Sequence, residues 1–153
     1  MLLAHYLGLA HRSEGELARA YREVAGRHGD EPDVAATCRL LAEQCDAHVQ
    51  ALEPFVKRYG EHEDDEPQEL HSDLFDEPRE GSLGFLRDLH DLYLMASEAD
   101  ISWMVIGQAA QGARDEDLFE AVHQCDSDTA DQLRWLKTRI KQSAPQTLLI
   151  ADR

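Results

Sequence analysis

The chain has 153 residues, of which 42% are hydrophobic, and its 31 acidic and 15 basic side chains give a formal net charge of −16. This length and hydrophobic content are typical of one folded domain with a single core. The excess of acidic groups disfavours phosphate backbones and anionic membrane surfaces, because like charges repel. We therefore expect neither a nucleic-acid partner nor a membrane partner.

The cysteines and the first residues indicate a cytoplasmic protein. Three cysteines, an odd number, have the spacing of helix-core positions, which fits reduced thiols. A signal peptide has a basic segment before its apolar stretch and a small-residue cleavage site after it. The apolar opening MLLAHYLGLAH has neither. No stretch reaches the roughly 18 apolar residues of a membrane-spanning helix.

Four long helical stretches, separated by Gly, Pro and Asp, predict an all-α fold. Gly29 ends the first helix, and the second accommodates Pro32 in its first turn after Asp30 as cap. Ser82 is the expected cap of the third helix, and acidic residues open the fourth. The predicted helices span residues 2–28, 31–59, 82–111 and 115–142.

Helices 1 and 2 each carry a buried seam with alternating four- and three-residue spacing, and each seam is interrupted by chemically distinct residues. The first seam comprises Leu3, Leu7, Ala10, Glu14, Leu17, Tyr21, Val24 and His28. The second comprises Val34, Cys38, Leu41, Cys45, His48, Leu52, Phe55 and Tyr59. Because Glu14 and His48 are equally distant from the connecting turn, we expect them to face each other. A buried carboxylate needs a cation, a proton or a metal ion as its partner.

Helix 3 is apolar almost all round between residues 92 and 110, where Glu98 and Asp100 carry the only charges. Such a helix is either deeply buried or covered by a second subunit, so we expect a homodimer. Asp100 and Asp128 are equally distant from the turn between helices 3 and 4, so we expect Asp100 to lie opposite Asp128 of helix 4. The helix 4 seam comprises Leu118, Val122, Cys125, Thr129, Leu133, Leu136 and Ile140.

Residues 61–80 contain ten acidic residues and one arginine. This segment is long enough to cross the length of a helical bundle, which predicts two antiparallel helical hairpins joined by one acidic crossover. We assign residues 1–143 to the bundle, with its crossover at 61–81. Residues 144–153 form a C-terminal tail, because Pro145 prevents simple continuation of helix 4, and its apolar strip is a candidate surface for a protein partner.

The arrangement resembles the ferritin-like superfamily, with an up-down-down-up four-helix bundle. The resemblance implies a glutamate from helix 1, a Glu-x-x-His pair from helix 2, a glutamate from helix 3 and another Glu-x-x-His pair from helix 4, together holding two metal ions. Glu14 and His48 match this pattern. Cys45 replaces the glutamate of helix 2, Asp100 or, as the alternative, Glu98 stands in for the helix 3 carboxylate, and Asp128 stands in for that of helix 4.

The sequence departs from the family at helix 4, where Asp131 occupies the position of the second histidine. Two interpretations follow. In the first, a reduced or modified site binds iron, manganese or zinc through Glu14, Cys45, His48, Asp100 and Asp128, and the resemblance implies dioxygen or peroxide as reactants of a redox-active metal. In the second, the chain holds no metal and is an interaction or scaffold protein. Whether it is an enzyme stays open at this point.

Overall fold

The computed structural model describes residues 2–60 and 81–150, and every regular element in that part of the chain is helical. Helices α1 (Leu2–Arg27), α2 (Pro32–Tyr59), α3 (Gly81–Gly112) and α4 (Glu116–Pro145) are followed by a π-helix, Gln146–Ile150. The predicted all-α class is confirmed. The predicted acidic crossover at residues 61–80 lies outside the described residues. Among the described helices, none combines the length and apolar character needed to cross a bilayer.

The connections between helices follow local chemistry. Between α1 and α2, the Glu31 backbone N–H donates to the His28 carbonyl at 3.0 Å, and Pro32 begins α2, where its missing N–H costs no helical bond. The residue that precedes α2 is Glu31 rather than the expected Asp30, and its side chain makes no capping bond. Between α3 and α4, the Asp115 carboxylate accepts from the Leu118 N–H at 3.1 Å, which is a true N-cap.

Helix α4 extends further than the sequence indicates. It continues to Pro145, and the π-helix follows without an intervening extended segment. Because proline lacks an N–H donor, regular α-helical bonding is interrupted at Pro145, and the residues after it form the wider turn of a π-helix. The Thr147 hydroxyl donates to the Ser82 carbonyl at 3.4 Å, which fastens this segment to the beginning of α3.

The buried seams of α1, α2 and α4 form the core, as predicted, and all their members except Leu3, Tyr59, Leu133 and Ile140 are buried. Helix α1 packs against α2 and α3, while α4 packs against α3 and α2. The apolar residues form two separate clusters. One includes Tyr21, Val34, Leu89 and Leu136. The other includes Leu7, Leu52, Trp103 and Leu118.

Candidate functional site

A buried polar layer lies between the two apolar clusters. We define it as Glu14 of α1, His48 of α2, and Asp128, Thr129 and Gln132 of α4. On α1, for example, Ala10 belongs to one cluster and Leu17 to the other, and Glu14 lies between them. Three helices therefore bring their polar side chains to one level of the bundle, as the sequence predicts for Glu14 and His48.

His48 is the centre of this layer. Its Nδ1 lies 3.2 Å from Oε1 of Glu14, and its Nε2 lies 2.9 Å from Oδ2 of Asp128. Glu14 is 1% exposed and His48 2% exposed, whereas Asp128 is half-buried. The predicted contact between Glu14 and His48 is thus present, and Asp128 completes a carboxylate–imidazole–carboxylate arrangement.

Glu14 is poorly satisfied by hydrogen bonds. Neither of its carboxylate oxygens has a hydrogen-bond partner among the described residues, so the 3.2 Å approach of His48 is a charge contact without hydrogen-bond geometry. A buried carboxylate without such bonds is stable only beside a compensating positive charge or as the neutral acid. A protonated His48 supplies that charge.

The surroundings of His48 favour its protonated form. Burial, the largest single effect, lowers the pKa of His48, but the carboxylates of Glu14 and then Asp128 raise it by more. The net result is a pKa above the ordinary value of 6.5. The two carboxylates therefore favour an imidazolium at His48.

Gln132, which is fully buried, links the same layer to α1 and α2. Its side-chain oxygen accepts from the Tyr21 hydroxyl at 3.0 Å, and its amide nitrogen donates to Gln44 at 3.1 Å. The sulfur of Cys45 lies 3.9 Å from that nitrogen. Burial, followed by the charge of Glu14, raises the pKa of the Cys45 thiol, so Cys45 is a thiol rather than a thiolate at neutral pH.

Trp103 closes the layer from α3. Its indole N–H donates to the Thr129 hydroxyl at 3.1 Å, and that hydroxyl donates to the Cys125 carbonyl at 2.7 Å. The edge-on contact between the rings of Trp103 and His48 has a centroid distance of 6.0 Å. Trp103 is 1% exposed, so it shields the imidazole from water on this side.

Asp100 does not join the layer. We expected Asp100 opposite Asp128, but the contacts of Asp128 are with His48 and with the Gln124 side chain, from which it accepts at 3.1 Å. Burial, followed by the neighbouring Asp126 carboxylate, raises the pKa of Asp100. Of the five predicted ligands, the structure thus gathers Glu14, Cys45, His48 and Asp128, and leaves Asp100 beside Asp126.

The residues do not fit the two-metal site of the resemblance. Within residues 2–60 and 81–150, no group of three or more His, Cys, Asp or Glu side chains is arranged to hold a metal ion. Asp131, which stands where a second histidine is needed, has a 62% exposed side chain and pairs with Arg134. Binding of a single metal ion by the four gathered residues stays a prediction.

A second buried ion pair lies at another level of the bundle, and sequence reasoning missed half of it. Nε2 of His28 lies 2.7 Å from Oδ2 of Asp88, and Nη1 of Arg27 lies 3.7 Å from the other oxygen of Asp88. The Asp88 side chain is fully buried. Its position three residues after Phe85 and four before Leu92, both buried, is the spacing that could have identified it.

We expect the stability contributed by His48 to decline as pH rises. Because its native pKa is raised, the native state holds the proton more tightly than the unfolded state, for which the pKa is about 6.5. This contribution is fully present below that pH and is lost as pH rises through the native pKa. Urea unfolding of wild type and His48→Gln between about pH 6 and 8.5 should show a stability difference that shrinks with pH. A constant difference would contradict the charged state of His48.

Comparisons with known proteins add no family assignment to this geometry. No protein-family model matches the chain, and neither does any curated protein or any solved structure.

Proposed function

We propose that this chain is a ferritin-like helical bundle that works as a metal-free interaction protein. The observation that carries the proposal is the position of His48, whose two ring nitrogens lie 3.2 Å and 2.9 Å from the carboxylate oxygens of Glu14 and Asp128. A histidine binds a metal through a ring nitrogen that carries no proton, whereas in an imidazolium both nitrogens are donors. The polar layer in this form is an internal ion network that fixes the packing of three helices.

The contacts between α1 and α2 support the ferritin-like topology. Along α1, His11 pairs with Glu53, Glu14 with His48, and Arg22 with Asp46. The partner numbers fall as the α1 numbers rise, which is the order of an antiparallel hairpin. The packing of α1 on α3 and of α2 on α4 is consistent with two such hairpins side by side.

The position of the polar layer argues against catalysis there. Glu14, His48 and Gln132 are all at most 2% exposed, so a substrate has no direct access to them. Most of the large exposed apolar side chains of the described residues lie elsewhere, on α3 and on the π-helix, where Leu148 is 64% and Leu149 69% exposed. Large exposed apolar side chains grouped together are typical of protein–protein contact surfaces. The π-helical segment thus remains a candidate surface for a protein partner.

A specific observation favours a second candidate function, the binding of one metal ion. Both oxygens of Glu14 are buried and have no hydrogen-bond partner in the part of the chain that the structure describes, and Cys45 lies beside them. A zinc, iron or manganese ion would satisfy this carboxylate if the side chains moved from the arrangement described above, His48 lost its proton and Cys45 became a thiolate. Zinc there would act structurally, while a redox-active metal would supply electron transfer.

Elemental analysis of untagged protein, combined with thermal unfolding in added Zn²⁺, Fe²⁺ or Mn²⁺, distinguishes the two. We expect far less than one metal per chain and an unchanged unfolding temperature, since a ligand stabilises a protein only by binding its native state. About one equivalent of metal with a raised unfolding temperature, both lost in His48→Gln but kept in His11→Gln, would instead establish the metal site. His11 is the matched control because it also forms a histidine–glutamate pair between α1 and α2, but at the surface.

A further inference from the structure

A second seam follows the outer face of α3. We define the outer seam as the residues spaced alternately four and three apart along this face. They are Leu83, Arg87, His90, Leu94, Ser97, Ile101, Met104 and Gln108. All are exposed except Ser97, which is half-buried. Alternate four- and three-residue spacing is that of the helix face that meets a partner helix in a coiled coil.

The central part of the outer seam is apolar. The exposed fraction is 48% for Leu94, 59% for Ile101 and 62% for Met104, and Val105 beside them is 38% exposed. The outer seam has no charged residue between Leu94 and Gln108, although the chain carries a net charge of −16. Packing within one chain does not account for such a strip.

We propose that the outer seam binds the outer seam of a second copy, with the two α3 helices antiparallel about a two-fold axis between Ser97 and Ile101. This inference rests on the proposed interaction function and names its partner. Around that axis, Ile101 of each copy faces the small Ser97 of the other, and Leu94 faces Met104. Large side chains thus meet small or flexible ones, as an isologous interface requires.

The charges at the two ends of the outer seam select this orientation. Arg87 and His90 lie towards the beginning of α3. Next to the end of α3, the three acids at residues 115–117 outnumber the two arginines there, Arg58 and Arg114, so this end keeps a net negative charge. Antiparallel pairing brings the basic end of one copy towards the acidic end of the other. Parallel pairing would place Arg87 against its own counterpart, which is repulsive.

Light scattering after size-exclusion chromatography, with sedimentation velocity over a range of concentrations, tests the dimer on the full chain. We expect twice the chain mass of 17.3 kDa for wild type and for Leu40→Arg. Ile101→Arg should weaken association by roughly 30-fold or more, because it places a charge at the centre of the interface. Leu40 is the matched control, since it is 62% exposed but lies on α2.

Cysteine cross-linking tests the orientation. We expect Leu94→Cys mixed with Met104→Cys to form disulfide-linked dimers under oxidised glutathione, and each variant alone to form few. The three native cysteines are buried and serve as the unmodified background. Efficient cross-linking of each variant with itself would overturn the antiparallel arrangement.

A monomer at every concentration, or a dimer unaffected by Ile101→Arg, would overturn the proposed interface. Either result leaves the metal analysis of the polar layer unchanged. Conversely, a dimer that contains one metal per chain would contradict the metal-free proposal and leave the interface standing. Failure of the proposed interface and failure of the metal-free proposal therefore give different results.

Discussion

Replacing His48 with alanine is expected to lower the free energy of unfolding by about 3 to 5 kcal/mol, because it removes the cation from a buried ion network. Glu14, at 1% exposure, would keep neither a counter-charge nor a hydrogen bond among the described residues. Urea unfolding at pH 7, followed by circular dichroism at a fixed protein concentration, measures the effect.

His11→Ala is the matched control for His48→Ala. His11 makes a similar 3.0 Å contact with Glu53, but the two side chains are 28% and 48% exposed. Exposed pairs contribute at most about 1 kcal/mol. Adding Glu14→Gln to His48→Ala should recover part of the lost stability, because the uncompensated carboxylate is then gone. Equal effects of His48→Ala and His11→Ala would show that the polar layer carries no buried charge.

Asp88→Ala is expected to destabilise the protein by a similar amount, about 3 to 5 kcal/mol. The substitution removes a fully buried carboxylate that lies 2.7 Å from His28 and 3.7 Å from Arg27. It therefore takes this acceptor away from His28 and from the half-buried Arg27, and opens a space beside Phe85. Chemical unfolding measures the loss in the free energy of unfolding, and the midpoint of thermal unfolding should fall with it.

Asp46→Ala is the appropriate control for Asp88→Ala. Asp46 also pairs with an arginine of α1, Arg22, but both side chains are 48% exposed. We expect a loss within about 1 kcal/mol for this control. If Asp88→Ala were as mild as Asp46→Ala, Asp88 would not be a structural ion-pair partner in the core.

The sequence predicted the main contact of the polar layer because periodicity and turn position are sufficient for it. Glu14 and His48 each interrupt an apolar seam, and a short connection between α1 and α2 sets their common level. The seam of α4 was also correct, with Thr129 buried as expected. These features depend on spacing along one helix and on the length of one turn, both of which the sequence contains.

The parts of the site that sequence reasoning did not predict depend on helix rotation and on packing between segments that are distant in the chain. Asp100 was placed opposite Asp128 from its distance to the turn, but a common level does not fix the direction of a side chain. Asp128 contacts His48 of α2, while Asp100 lies beside Asp126. Gln132 was missed because a polar residue at a helix flank gives no signal of burial until its partners are known.

The helix ends differ in the same way: an end that depends on neighbouring residues was predicted, and an end that depends on distant residues was not. Asp115 was correctly placed at the beginning of α4, since an N-cap depends only on the next few residues. The extension of α4 to Pro145 and the π-helix after it were not predicted. The π-helix is held against α3 through Thr147 and Ser82, which are far apart in sequence.

The protonation state of His48 tests the metal-free proposal most directly. Long-range ¹H–¹⁵N spectra of protein with ¹⁵N-labelled histidine, with the signal assigned by its loss in His48→Gln, report both ring nitrogens. We expect both to carry protons at pH 7 and their signals to stay unchanged when Zn²⁺ or Fe²⁺ is added. A neutral ring at pH 7 whose unprotonated nitrogen responds to added metal would contradict the proposal and identify His48 as a ligand.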